Sequence, residues 1–312
     1  MVLSVSRRTD IPNYYSEWFL NRIKEGFLYV RNPMNMHQIS KINISPDVVD
    51  CIVFWTKNPE NMMKQLDGLK DYMYYFQFTL TGYDKDMEPN IPDKNDKLIT
   101  IFQTLSKKIG KERVIWRYDP ILINKKYTME YHKKVFGEIA CSLAGYTERV
   151  VISFVDLYEK TQRKTKGLEL EKMTYDTMNY LAKEIVKIAS NNHMIVETCA
   201  EEIELKEIGV QHGSCIDKSL IERLLGCKII GEKDKNQRGE CGCLESVEVG
   251  TYNTCFNGCK YCYANYNDEK VKESGKLYNV HSPILCGNIG PEDKITDRKV
   301  KSLKDIQMSL FD

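Results

Sequence analysis

The sequence predicts an α/β fold: a partial or complete TIM-like (βα) barrel with a C-terminal cysteine-rich module. Three observations predict it. Short β-branched and aromatic runs alternate with helically spaced segments as far as residue 212, the pattern of parallel strands joined by helices. No Gly-x-Gly-x-x-Gly turn follows the first run, which favours a barrel over an open dinucleotide-binding sheet. Finally, only Cys51 and Cys141 precede residue 199, while the other nine of the 11 cysteines fall between Cys199 and Cys286. Packing or disulfides spread along a chain would not cluster them so.

In chain order, strands are expected at 2–5, 51–55, 73–81, 113–118, 150–155 and 194–199, with a weaker one at 209–212. Each is rich in Val, Ile, Phe, Tyr or Trp and ends in a polar turn. Between them, 14–25, 95–109, 129–143 and 175–189 carry apolar residues at helical spacing, and 218–225 reads as a last helix. Residues 1–227 are therefore expected to form the barrel domain. Residues 228–290 are rich in Lys, Asp, Gly, Asn and Cys with little periodicity, so a bound cofactor is expected to organise them in place of an apolar core. Residues 291–312 read as a charged, mobile tail.

Lys plus Arg is 45 against 44 for Asp plus Glu, a net charge of +1. This gives no global attraction to nucleic acid or an anionic membrane. No apolar run reaches the roughly 20 residues of a membrane span. Arg7, Arg8, Asp10 and Glu17 stand where a signal peptide needs an apolar core. A soluble, cytoplasmic protein is expected, with its thiols reduced.

Polar residues follow each apolar run: Arg7, Arg8, Thr9 and Asp10; Thr56, Lys57 and Asn58; Thr79 and Thr81; Arg117 and Asp119; Ser153 and Asp156; Glu197, Cys199 and Glu201. In a barrel these lie at the C-terminal rim, where such folds place their chemistry. Arg7, Asp10, Lys57, Arg117, Asp119 and Glu197 are the candidate catalytic residues. Lys57 and the Arg117/Asp119 pair suit a substrate or cofactor carboxylate, or equally a rim salt bridge.

The sharpest motif runs Gly250-Thr-Tyr-Asn-Thr-Cys255-Phe-Asn-Gly-Cys259-Lys-Tyr-Cys262-Tyr-Ala-Asn265. Cys-x3-Cys-x2-Cys supplies three thiolates and leaves a fourth metal position without a local ligand. Structural zinc wants four closed ligands, for which a remote residue such as His281 is an alternative. A 4Fe-4S cluster with three Cys ligands keeps one iron open.

This triplet, with an aromatic residue before its third Cys, resembles the signature of the radical S-adenosylmethionine superfamily. The resemblance implies that Cys255, Cys259 and Cys262 hold a 4Fe-4S cluster. It implies that S-adenosylmethionine chelates the open iron, with Tyr261 near its adenine, and that a donor such as flavodoxin or ferredoxin supplies the electron. It also implies reductive cleavage of that cofactor and action on an unknown substrate. The superfamily usually carries its triplet after the first strand, whereas here it follows the whole barrel. Together with Ser6-Arg-Arg-Thr-Asp-Ile-Pro12, Phe54-Trp-Thr-Lys-Asn-Pro59, Trp116-Arg-Tyr-Asp-Pro120 and Lys235-Asn-Gln-Arg238, the late triplet resembles domain-of-unknown-function family 1848 over nearly the full chain.

A second group, Cys199, Cys215, Cys241 and Cys243, has three readings: an auxiliary iron-sulfur cluster, a structural zinc, or packed thiols. Cys227 and Cys286 read as spare, and Cys51 and Cys141 as core. The five histidines share no metal spacing, His212 near a strand end being the best exception. The chain ends in Gln307-Met-Ser309-Leu310-Phe311-Asp312, which resembles the short peptides that dock on the bacterial DNA sliding clamp through Gln and two apolar anchors. Such docking would bring the enzyme to a nucleobase or DNA lesion. Two alternatives stay open: transfer of the aminocarboxypropyl group of S-adenosylmethionine, and a non-catalytic zinc or iron-sulfur adaptor on the clamp.

Overall fold

The computed structural model describes residues 1–155, 165 and 167–305. Asp156 and the clamp-like Gln307, Ser309, Leu310 and Phe311 lie outside the described residues. The strands are β1 (Val2–Val5), β2 (Phe27–Asn32), β3 (Asn35–Asn43), β4 (Cys51–Thr56), β5 (Tyr74–Thr79), β6 (Val114–Ile121), β7 (Arg149–Phe154), β8 (Ile195–Cys199), β9 (Gln211–Gly213), β10 (Ser246–Glu248) and β11 (Lys294–Arg298). The helices are α1 (Ile11–Tyr14), α2 (Ser16–Glu25), α3 (Glu60–Met63), α4 (Ile99–Ile109), α5 (Met129–Leu143), α6 (Tyr175–Asn191), α7 (Lys218–Leu225) and α8 (Asp268–Lys276).

Eight strands form one sheet in the order β10-β1-β4-β5-β6-β7-β8-β9, every neighbouring pair parallel. Both faces are buried, which is why the strands read as nearly continuous apolar runs. Leu3, Ile52, Phe54, Phe76, Trp116 and Ile152 belong to the core on one face. Val2, Val53, Tyr75, Ile115 and Val151 belong to the core on the other. Helices cover the first face: Phe19 of α2 meets Phe54 edge-on at 5.6 Å, and Phe136 of α5 stacks on Trp116 at 4.7 Å. Each such buried ring stabilises the fold by roughly 1.5–3 kcal/mol. On the second face Leu220 and Ile221 of α7 complete the core.

The helix starts follow their caps. Thr128, Thr174, Asp217 and Asn267 each accept a backbone N–H of the first turn through the side chain. Gly26 and Gly226 end α2 and α7 in the left-handed conformation.

The two edges of the sheet, β10 and β9, form no strand pair with each other among the described residues. The seam is instead bridged by the Leu244 N–H, which donates to Ile216 O at 3.0 Å, and by the Ile216 N–H, which donates to Cys243 Sγ at 3.4 Å.

Three departures from the expected layout matter. Residues 228–290 are not apart from the sheet, since they supply β10. Residues 294–298, expected to belong to a mobile tail, form β11 in a second sheet of order β11-β3-β2, and Arg31 holds the neighbouring Asp293 at 2.6 Å. The β2–β3 hairpin itself escapes a period-2 reading because β3 buries Ile39 and Ile42, three residues apart, on either side of polar positions. No described helix is long and apolar enough to cross a membrane.

Candidate functional site

Because the ladders are parallel, all the strands end at one rim, and a cavity of about 790 Å³ opens there. Arg7, Thr9 and Asp10 after β1, Thr56 and Lys57 at the end of β4, Thr79, Arg117, Asp119, Ser153 and Cys199 line it. So do Cys215, Cys241, Cys243 and the loop carrying Cys255, Cys259, Tyr261 and Cys262. The two cysteine groups, separate in sequence, therefore face one cavity.

The triplet loop is fastened at several points. Asn265 Oδ1 accepts from the Cys255 N–H at 2.9 Å, and its Nδ2 stands 3.6 Å from Cys262 Sγ. Lys260 N–H donates to Met87 O at 3.0 Å, and Asn90 Nδ2 to Phe256 O at 2.7 Å. Gly258 adopts φ +72°, and a Cβ there would lie 3.0 Å from Pro89, so the turn requires glycine. Asp10 is buried and joins three elements: Oδ2 accepts from the Lys57 N–H at 2.8 Å and Asn257 Nδ2 at 3.1 Å, while Oδ1 caps α1 through the Asn13 N–H at 3.2 Å. Tyr14 donates to Asn257 Oδ1 at 2.9 Å. Burial pushes the Cys259 thiol up to about 12 and the Cys255 thiol well above its ordinary value. In this pocket a thiolate needs a cation.

Beside the triplet lies a buried charge network that sequence reasoning missed. Glu88, 1% exposed, receives Lys57 Nζ at 2.8 Å, Lys94 Nζ at 2.6 Å, Thr81 Oγ1 at 2.9 Å and the Tyr261 hydroxyl. Burial alone would raise the Glu88 carboxyl; Lys57 and Lys94 outweigh it and hold it at about 2. Lys57 Nζ also stands 5.5 Å from the centre of the Tyr261 ring. Glu88 sits in an aperiodic loop among 44 acidic residues, and no pattern singles it out.

Farther along the rim Arg117 reaches Asp119 Oδ2 through Nε at 3.0 Å and Cys215 Sγ through Nη1 at 2.8 Å. Ser153 donates to Asp119 Oδ1. The Cys199 and Cys215 sulfurs are 2.7 Å apart. The neighbouring Cys243 thiol lowers the Cys241 thiol to about 7. Arg7 lies 5.1 Å over the Trp55 ring, and its Nη2 is buried without a hydrogen-bond partner among the described residues. Among the described residues no group of three or more His, Cys, Asp and Glu side chains stands around a common metal position.

The model of a protein family described as a domain of unknown function (DUF1848) matches residues 2–264. The chain belongs to this family. A comparison with curated proteins found no match. The DUF1848 match ends two residues after Cys262, so it takes in both cysteine groups and the strand ends that line the cavity, and excludes Asn265, α8 and β11.

Two expected placements change within this DUF1848 chain, those of Glu197 and Cys141, and His281, His212 and Cys286 take positions away from the cavity wall. Glu197, a candidate catalytic residue, does not line the cavity; it shares Arg149 Nη1 with Asp217, at 3.0 and 2.9 Å. His281 is exposed and outside the cavity wall, so the zinc reading loses its suggested fourth ligand. His212 is likewise outside and pairs with Glu204 at 3.3 Å. Cys141, expected in the core, is exposed, whereas Cys51 is buried as expected. Cys286, expected to be spare, is packed in the main core and does not line the cavity.

Proposed function

We propose that the chain is a radical S-adenosylmethionine enzyme built on an open (βα) barrel, with Cys255, Cys259 and Cys262 as ligands of a 4Fe-4S cluster. The observation that carries the reading is that these three thiols face the same cavity as the polar groups of six parallel strand ends. The donor set suits the cluster: three thiols on one fastened loop, two of them, Cys255 and Cys259, buried enough to need a cation, with no fourth thiol in the motif. Bound there with S-adenosylmethionine, the cluster supplies one-electron reductive cleavage of the sulfonium.

The chain's own residues do the rest. Asp10 and Asn257 fix the loop against β1 and β4. Glu88 holds Lys57 and Tyr261 at the cavity wall, where the Lys57 ammonium suits a carboxylate and the Tyr261 ring a flat base. Trp55 and Tyr263 add aromatic surface that excludes water. Arg117, Asp119 and Ser153 form the polar wall for the substrate.

The test is anaerobic reconstitution with iron and sulfide, then electron paramagnetic resonance of the reduced protein with and without S-adenosylmethionine. The expected result is a four-iron signal that shifts on addition of S-adenosylmethionine, together with 5'-deoxyadenosine as a product. A signal indifferent to S-adenosylmethionine, or zinc in place of iron in the Cys255–Cys262 loop, overturns the reading. Detection of methylthioadenosine instead would move it to aminocarboxypropyl transfer.

A further inference from the structure

We infer that Arg7, Arg8 and Thr9 form an anion site in the cavity wall, built for the phosphate group of a phosphorylated substrate. The substrate class rests on the reaction proposed for this cavity, whereas phosphate binding itself needs neither the cluster nor S-adenosylmethionine.

The three residues follow β1 closely, and all line the cavity. Two of them carry buried hydrogen-bonding atoms that are unused: Arg7 Nη2 and Thr9 Oγ1 have no hydrogen-bond partner among the described residues. Thr9 is 4% exposed, and a buried hydroxyl left unmet costs stability. Both atoms can donate, so what they lack is a ligand rich in acceptor oxygens.

Charge points the same way. Of the other cations on the wall, Lys57 is paired with Glu88 and Arg117 with Asp119. Among the described residues neither Arg7 nor Arg8 has an ion pair, and Arg8 Nη1 donates to Gly250 O at 3.3 Å. The ionisable groups that act most strongly on Arg7, which are Cys243, Glu248 and Cys215, are engaged elsewhere. Cys243 Sγ accepts the Ile216 N–H and Cys215 Sγ accepts Arg117 Nη1. Glu248 accepts the Ser4 and Ser6 hydroxyls and the backbone N–H groups of Arg7 and Gly250. Two guanidinium groups without carboxylate partners match the roughly −1.5 to −2 charge of a phosphate monoester at pH 7; a carboxylate would answer only one of them.

Both guanidinium groups are held ready. Arg7 lies 5.1 Å over the Trp55 ring and Arg8 lies 4.8 Å over the Tyr252 ring. A guanidinium resting on an aromatic face keeps its N–H edge for an oxyanion. The backbone is fixed as well, since Tyr263 donates to Arg7 O at 3.0 Å and Asn265 Nδ2 to Arg8 O at 3.3 Å. The cavity of about 790 Å³ leaves room beyond a phosphate for the rest of a small substrate.

The test is isothermal titration of inorganic phosphate into the full chain at constant ionic strength, with chloride as the control, before and after reconstitution with iron and sulfide. The expected result is saturable binding in both states, weakened about tenfold or more by Arg7→Met. Thr9→Val gives a second readout, because it replaces a buried, unpartnered hydroxyl by a methyl group of the same shape. It should raise the urea midpoint in chloride while weakening phosphate binding; a hydroxyl that merely braces the loop would lower the midpoint instead. No saturable binding, phosphate affinity unchanged in both variants, acetate bound as tightly as phosphate, or phosphate displaced by S-adenosylmethionine would each overturn the assignment. The last of these would place the S-adenosylmethionine carboxylate at Arg7. Phosphate binding is read by calorimetry on protein with or without the cluster, and the radical reaction by spectroscopy and product, so the two proposals fail separately.

Discussion

Arg117 and Asp119, two residues apart on β6, form a buried pair in which Nε donates to Oδ2 at 3.0 Å, with the guanidinium 93% shielded and the carboxylate 79% shielded. Both charges are taken from water, and each is compensated chiefly by the other and by Ser153 and Cys215. Breaking such a pair costs more than the pair itself contributes, because one charge stays behind. Arg117→Met should therefore destabilise the protein by about 3–5 kcal/mol, read as a fall in the urea midpoint by circular dichroism. Combining it with Asp119→Asn should restore part of the loss. An unchanged midpoint for Arg117→Met would show the pair to be solvated.

Glu88 sets an acid limit. Its carboxyl is held at about 2 against an ordinary 4.5. The folded value is the lower, so its contribution is complete above pH 4.5 and is lost as pH falls from 4.5 towards 2. Glu88→Gln leaves the Lys57 and Lys94 ammonium groups uncompensated and should lower stability at neutral pH by about 3 kcal/mol or more. Its further decline below pH 4.5 should be shallower than that of the unaltered protein. Parallel stability curves for the two proteins would remove Glu88 from the linkage.

His132 should act at milder pH. Its buried ring contacts the Tyr118 hydroxyl and Leu122 O, each at 2.8 Å, and burial lowers it to about 4 from 6.5. A neutral ring that must gain a proton on unfolding contributes stability above pH 6.5 that is lost between 6.5 and 4. His132→Gln should flatten that interval while leaving the Glu88 interval below it intact. Urea titrations at pH 7, 5.5 and 4.5 give the comparison, and an equal slope in both proteins would refute the assignment.

These residues show what a sequence carries and what it conceals. The strands β1, β4, β5, β6, β7 and β8 and the helices α5 and α7 were legible because a parallel sheet buried on both faces leaves apolar runs, and surface helices leave a 3.6-residue period. The rim followed from the strand ends, and Arg7, Asp10, Lys57, Arg117 and Asp119 all line the cavity. Glu197 was misplaced because it lies two residues before Cys199 on the same face of β8, one step below the rim, where it serves an interior ion pair with Arg149. Glu88, Asn257 and Asn265 were not legible at all, since their importance lies in partners brought from distant segments. The hairpin and β11 escaped because pairing with a polar edge leaves no period.

The triplet loop offers the sharpest local test. Gly258 and Gly26 both adopt left-handed backbone, at φ +72° and +77°, but a Cβ on Gly258 would stand 3.0 Å from Pro89 Cγ and 3.2 Å from Asn90 Nδ2, whereas one on Gly26 meets nothing within 4 Å. Alanine at either site incurs about 1–2 kcal/mol of backbone strain. Only at Gly258 must the loop between Cys255 and Cys259 also shift away from its Asn90 anchor. Both variants should melt a few degrees lower, and only Gly258→Ala should take up clearly less iron on reconstitution, measured per chain. Equal iron in the two variants would mean that the Pro89–Asn90 contact does not set the spacing of the thiols. A joint loss would trace the iron deficit to stability alone, since Gly26 lies at the end of α2 and outside the cavity wall.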